Sequence, residues 1–238
     1  MRWIRVYAEQ TLTPGAEVEI QGQAARHLTQ VLRLRVGDRF SVFNGDGYDY
    51  PATITLASKQ KTSAQLATER EARPQPKRPF ILGQALIKGE RMDWAIQKAV
   101  ELGAGAIAPL ISERTEVRLK AERLEKRLRH WQGVVHSACE QCGRADVPTV
   151  YAPQAWHDWM QQVQAVHRLV LVPGAEQALA AYPLDQQSVA IAVGPEGGWS
   201  EQEALSWQQG GFTAVRLDTL ILRAETASLA AAALIQYR

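Results

Sequence analysis

Cysteine is nearly absent: the chain has two, Cys139 and Cys142, among 238 residues. Two thiols can neither staple a small secreted scaffold nor complete a four-thiolate zinc site, so a reducing, cytoplasmic setting is expected. With His136 they fall at i, i+3 and i+6 of one expected helix, where side chains turn progressively away from one another, so no metal is expected. Long apolar runs are missing too. The stretch Leu229 to Ile235 is far too short to cross a bilayer, and Met1 to Gln10 has no signal-peptide core, so no membrane association is expected. There is no G-x-G-x-x-G, no P-loop lysine and no Gly-x-Ser-x-Gly, which removes the usual signatures of dinucleotide binding, nucleotide triphosphate binding and serine hydrolysis.

Net charge is also small. Lys plus Arg number 27 and Asp plus Glu 25, a net +2 that by itself announces no polyanionic partner. The distribution says more. Residues 1–79 carry 12 basic and 8 acidic side chains, residues 80–150 carry 11 and 9, and residues 151–238 carry 4 and 8. A positive excess confined to the first 150 residues can orient a molecule against a polyanion.

Three prolines between Glu71 and Pro79 interrupt both helix and ladder hydrogen bonding, so residues 73–79 are expected to link a domain of residues 1–72 to one of residues 80–238. The first part reads as short strands, Ile4 to Ala8, Val18 to Ile20, Arg39 to Phe43, Tyr50 to Leu56 and Ser63 to Ala67. Asn44-Gly45-Asp46-Gly47 marks a hairpin turn, and Ala24 to Leu34 is the one expected helix, so a small β-barrel is predicted. The second part alternates apolar strands with helices: Phe80 to Leu86, Ala106 to Leu110, Leu169 to Val172, Val189 to Val193 and Ala214 to Leu217 are the strands. Helices are expected at Arg91 to Leu102, Ala121 to Cys142 and up to Gln236. That alternation predicts an α/β fold with a parallel sheet. The outer face of the middle helix carries Arg123, Lys126, Arg127, Arg129 and His130, either a solvated face or a contact for phosphates.

Two segments could carry chemistry. Val189 to Glu203 runs a buried strand into Gly194-Pro-Glu-Gly-Gly198 and then a helix whose start is marked by a capping box, Ser200 with Glu203. Gly194, Gly197 and Gly198 permit positive φ and close backbone approach, and in open α/β sheets ligands bind beyond the carboxyl ends of the strands. The second segment, Leu217 to Ala227, leads into an alanine-rich helix. Arg223 and Glu225 interrupt its apolar, small-residue run, where charges are either paired or functional.

These residues carry a resemblance to the bacterial 16S ribosomal RNA uridine-N3 methyltransferases, members of the knotted SPOUT class. It rests on Arg2 and Arg5, His27-Leu28, Val31-Leu-Arg-Leu34, Gly37-Asp38, Lys88-Gly-Glu-Arg91, Ile96 to Gly103, Ser112-Glu-Arg-Thr115, Ala138 to Arg144, Gly194 to Gly198 and Leu222-Arg-Ala-Glu-Thr-Ala227. They follow the family's order over nearly the whole chain. In one place the chain departs: Leu217-Asp218-Thr219-Leu220 stands where the family usually has Leu-Gly-Pro-Arg, which bears on affinity for the methyl donor.

The resemblance implies a PUA-like, RNA-binding barrel followed by a SPOUT α/β domain with a C-terminal trefoil knot, in a homodimer that uses S-adenosylmethionine as its cofactor. Leu171, Val172, Pro173, Val193, Gly194, Pro195, Glu196, Gly198, Leu217, Ile221 and Leu222 would form the cofactor loops, and valine at Gly194 would fill the adenine approach. Arg223 would stabilise developing imidate charge and Glu225 would accept the N3 proton. Arg2, Arg5, Arg33, Arg35, Lys88, Arg91, Arg114 and Arg144 would meet 16S ribosomal RNA of the small subunit. Two other readings fit less of the sequence: a non-catalytic RNA-binding or assembly factor on the same scaffold, and a dinucleotide-dependent oxidoreductase.

Overall fold

The computed structural model describes residues 4–58, 61–117, 121–217 and 220–238. They form two compact units, Met1–Gln75 with His136–Val147, and Pro76–Val135 with Pro148–Arg238.

The first unit contains β1 (Arg5–Tyr7), β2 (Glu17–Gln21), α1 (Gly22–Arg26), β3 (Arg39–Phe43), β4 (Tyr48–Ala57), β5 (Lys61–Leu66) and β6 (Glu71–Ala72). Among the described residues the sheet has six strands in the order β1-β3-β4-β5-β2, with β6 on β4. The end strands β1 and β2 do not pair, so the predicted barrel is a curled half-barrel. Asn44 to Gly47 joins β3 to β4 as an antiparallel hairpin, Gly45 and Gly47 both at positive φ. Alternation along β2 and β5 sends Val18, Ile20, Thr62, Ala64 and Leu66 inward, against Leu28, Phe40, Tyr50 and Ile54.

The helix expected over Ala24 to Leu34 is shorter. Beyond α1 the chain widens into a π-type turn, His27–Val31, and leaves the helix at Arg33, whose φ is 57°. Leu28 is fully buried while Leu32 and Leu34 are half-buried against the same core, and Leu34 N donates to Leu28 O at 2.9 Å. A straight helix would not keep all three leucines on one side, so the backbone reverses through the left-handed region at Arg33.

The second unit contains β7 (Phe80–Ala85), α2 (Glu90–Glu101), β8 (Ala104–Ile111), α3 (Ala121–Cys142), β9 (Thr149–Val150), β10 (Gln154–Ala155), α4 (Trp156–Gln162), β11 (His167–Leu171), β12 (Gln177–Ala178), β13 (Val189–Val193), α5 (Glu201–Gln209), β14 (Thr213–Arg216) and α6 (Ala224–Tyr237). The last turns of α3, from His136, pack within the first unit. The described strands make an eight-stranded sheet ordered β10-β8-β7-β13-β11-β14-β12, with β9 on β8, and every pairing is parallel. Every residue of β13 is buried, as expected for a central parallel strand covered on both faces.

One face of this sheet packs on Trp159, Trp199, Trp207 and Phe212. Gly83 in β7 makes room for it: a Cβ there would lie 2.7 Å from the Trp159 ring. Because neighbouring β13, β11 and β14 run parallel, their carboxyl ends Val193, Leu171 and Arg216 emerge on one edge. The loops that follow therefore meet.

Candidate functional site

Those three loops enclose a cavity of about 620 Å³. Its walls are Leu171 to Ala175 after β11, Val193 to Trp199 after β13, and Val215 to Leu217 with Leu220 to Leu222 around the end of β14, closed by Ala224 and Ala227 of α6. All eleven residues expected in the cofactor loops lie on this one cavity: Leu171, Val172, Pro173, Val193, Gly194, Pro195, Glu196, Gly198, Leu217, Ile221 and Leu222. Asp218 and Thr219, half of the departure from the family's pattern, lie outside the described residues. Leu220 and Ile221 leave 74% and 86% of their surface to solvent at the rim, unusual for aliphatic side chains beside a cavity.

Of the three glycines expected to permit positive φ or close backbone approach, Gly198 takes the positive φ, at 67°. Gly194 is required for a different reason. A Cβ there would sit 3.3 Å from Gly198 C and Trp199 N, both backbone atoms, so the turn folds back onto Gly194. A β-branched side chain would therefore press on the turn's own backbone, which must give by a few tenths of an ångström, in addition to filling the space expected for the ligand. The turn ends in the predicted capping box: Glu203 N donates to Ser200 Oγ at 3.2 Å and Ser200 N to Glu203 Oε2 at 2.9 Å.

Sequence patterns missed several groups that shape the cavity. Arg216 is its one lining cation among the described residues, and its Nη1 donates to Ala175 O at 2.9 Å and also to Glu176 O, tying down the loop after β11. Trp199 closes the back of the cavity with its ring 5.2 Å from that of Trp207. A lone arginine at a strand end and a tryptophan after a glycine pair carry no periodic signal.

Arg223 and Glu225 stand at the start of α6, beside the cavity-lining Leu222 and Ala224. Arg223 is exposed at the N-cap position. The Glu225 side chain is 12% exposed, its Oε1 lies 3.9 Å from Arg91 Nε, and its buried Oε2 has no hydrogen-bond partner among the described residues. A buried carboxylate oxygen without a donor is costly, and suits a site that receives one from a ligand. Arg91 also lies 3.6 Å from Glu196 Oε1, which accepts from Lys88 N at 3.1 Å.

The residues expected to meet RNA separate into distinct groups. Arg2 lies outside the described residues. Arg33 and Arg35 are exposed on the segment after α1. Lys88 is exposed, and its pairing with Glu116 holds its ammonium above the usual lysine range. Arg91 and Arg114 are solvent-accessible but also bonded to groups at the cavity.

Arg5 and Arg144 must be withdrawn from that set. Arg5 is buried, forms a two-pronged pair with Asp49 at 2.8 and 2.7 Å, and donates to Cys139 O and Arg144 O. Arg144 is buried and paired with Asp146. Neither presents its guanidinium to an external phosphate: Arg5 holds the end of α3 against β1 and β4, and Arg144 pairs with Asp146 just beyond α3. In the same region the His136 ring stacks 3.8 Å from Tyr7, and burial pushes the Cys139 thiol up to about 12.

A family model for an RNA methyltransferase domain matches residues 73–236, and one for an RNA methyltransferase PUA domain matches residues 20–66. The chain is 34% identical to ribosomal RNA small subunit methyltransferase E of Synechocystis over 92% of this chain and 73% of that protein, and 28% identical to that of Buchnera aphidicola from Schizaphis graminum over 98% and 96%. Among solved structures, a methyltransferase of Legionella pneumophila with bound SAM superposes at a TM-score of 0.96, with 33% identity over 99% of this chain and 98% of the other. The ribosomal RNA small subunit methyltransferase E of Neisseria gonorrhoeae, bound to S-adenosyl methionine, gives 0.91, with 35% identity over 98% and 97%.

Proposed function

The chain belongs to the ribosomal RNA small subunit methyltransferase E family, and from that premise we propose that it methylates N3 of a specific uridine in 16S ribosomal RNA, with S-adenosylmethionine as methyl donor. The observation that carries this reading is the convergence of three strand-end loops on one largely apolar cavity with Glu225 beside it. About 620 Å³ falls within the roughly 300–1,000 Å³ of small-molecule sites. The residues fit the donor: the folded-back turn at Gly194 and Gly198 offers backbone groups to adenine and ribose, and Leu217, Leu220 and Ile221 supply apolar wall.

When bound, the donor supplies a methyl already activated on sulfonium. What remains for the chain is alignment and charge. Uracil N3 is a poor nucleophile until its imide proton leaves, so Glu225, with its unpartnered Oε2, takes that proton and Arg223 stabilises the developing imidate. In a base pair N3 is hidden by its partner, so the target uridine is unpaired or extruded. The exposed arginines 33 and 35 on the PUA-like unit and the positive excess of residues 1–150 suit the ribosomal RNA backbone.

Residues 1–72 serve in this proposal as the RNA-binding part and residues 80–238 as the catalytic part, whose C-terminal segment forms the trefoil knot. A homodimer is part of the same proposal, since a second copy would cover the exposed Leu220 and Ile221 and complete the site. No described helix is long and apolar enough to cross a membrane. The proposal carries a cytoplasmic location with it, because its substrate is small-subunit ribosomal RNA.

The test is transfer of labelled methyl from S-adenosylmethionine to purified small subunits that lack the modification. Label recovered as N3-methyluridine supports the proposal. Subunit binding without transfer would favour the non-catalytic factor instead. The oxidoreductase reading is set aside by family membership.

A further inference from the structure

The motif Ser112-Glu-Arg-Thr115 has no place in the chemistry above, yet it is tied to the cavity more firmly than to solvent. The segment is a turn after β8, closed by Thr115 N to Ser112 O at 3.1 Å and by Ser112 N to Thr115 Oγ1 at 3.0 Å. Glu113 N donates to Glu203 Oε1 at 2.8 Å, while the other oxygen of the same buried carboxylate accepts from Ser200 N at 2.9 Å. One carboxylate thus joins the turn to the start of α5. Arg114 adds a second bond: its Nη1 donates to Gly197 O at 2.9 Å and to Trp199 O at 3.3 Å. Its aliphatic stem lies where a Cβ on Gly197 would be 3.4 Å from Arg114 Cβ and Cδ.

Gly197 and Trp199 both line the cavity. A loop with three glycines in five residues loses much conformational freedom on ordering, so whatever fixes it before the ligand arrives reduces the cost of binding. A charge-assisted pair of bonds from a guanidinium to backbone carbonyls does that, because five donors on a planar fork let one nitrogen serve two acceptors.

We propose that Arg114 is a positioning residue for the methyl-donor loop, braced through Glu203, and that it sets affinity for S-adenosylmethionine instead of contacting ribosomal RNA. The inference rests on the functional reading given above. It reassigns an arginine that the family resemblance had placed with the RNA, and it assigns the Ser112 to Thr115 turn a role in cofactor recognition.

The full-length protein is compared with Arg114→Met and Arg114→Lys in steady-state methyl transfer to small subunits, in calorimetric titration with S-adenosylmethionine, and in salt-titrated subunit binding. The stem of methionine keeps the contact with Gly197 but removes both bonds to carbonyls. It should raise Kd and KM for S-adenosylmethionine by about tenfold, in line with hydrogen bonds to a charged group, with kcat within about threefold of the parent. Lysine, which can still reach one carbonyl, should recover part of that loss. The slope of log subunit affinity against log salt should stay that of the parent. Unchanged donor affinity in Arg114→Met overturns the inference, as does a slope reduced by nearly one unit with donor affinity intact, which marks a phosphate contact. A parent protein that binds no S-adenosylmethionine would overturn the functional reading itself, and this inference with it.

Discussion

Replacing Arg5 by Met gives the sharpest division between a structural and an RNA-contacting arginine. The Arg5 side chain is 3% exposed and that of Asp49 0%, and the guanidinium satisfies both carboxylate oxygens and the carbonyls of Cys139 and Arg144. Methionine would leave Asp49, among the described residues, with Arg73 Nε 3.6 Å away, and would take one donor from each of two carbonyls, of which Cys139 O keeps Gly143 N. Removing one partner of a buried pair costs about 3–5 kcal/mol because a charge remains uncompensated. In a unit of this size each kcal/mol moves a melting midpoint by about 4–8 °C, so the first unit should melt roughly 12–40 °C below the parent. Circular dichroism on heating measures this. Adding Asp49→Leu should restore more than half the loss, since the stranded charge is gone. Below its melting point the Arg5→Met protein should bind small subunits with the parent's salt slope. Parent-like melting combined with a shallower slope would instead return Arg5 to the RNA surface.

Gly194→Val should weaken S-adenosylmethionine binding at least tenfold in calorimetry, because branched carbons would press on Gly198 C and Trp199 N, and overpacking of this kind costs about 1–3 kcal/mol. Arg33→Ala with Arg35→Ala should lower the salt slope of subunit binding by roughly 1.4–1.8, since each phosphate contact contributes about 0.7–0.9. At pH 8 iodoacetamide should label Cys142 well before Cys139, whose thiol is buried and pushed up to about 12, and peptide mass spectrometry would read the order.

The cavity was legible because its parts announce themselves locally. Val189 to Val193 is an unbroken apolar run, and the turn after it has glycines and a capping box, so strand, loop and helix are written in consecutive residues. That the loops after β11 and β14 join it follows from parallel strands sharing an edge. Polar groups that act across the fold were not legible. Arg5 and Arg33 look alike in sequence, yet one meets Asp49, 44 residues away, and the other stands in solvent. The end of α3 likewise packs with the first unit through Arg5 and Glu140, contacts that helical periodicity within Ala121–Cys142 cannot reveal. Two-residue strands such as β9, β10 and β12 are too short to show any period.

Methylation of N3 at one uridine of small-subunit ribosomal RNA is open to mass mapping of the modified nucleosides in that RNA, from cells with the protein and from cells without it. One N3-methyluridine should be present in the first map and missing from the second, and should return when the parent protein is supplied but not when Gly194→Val is. Identical maps with and without the protein would contradict that methylation.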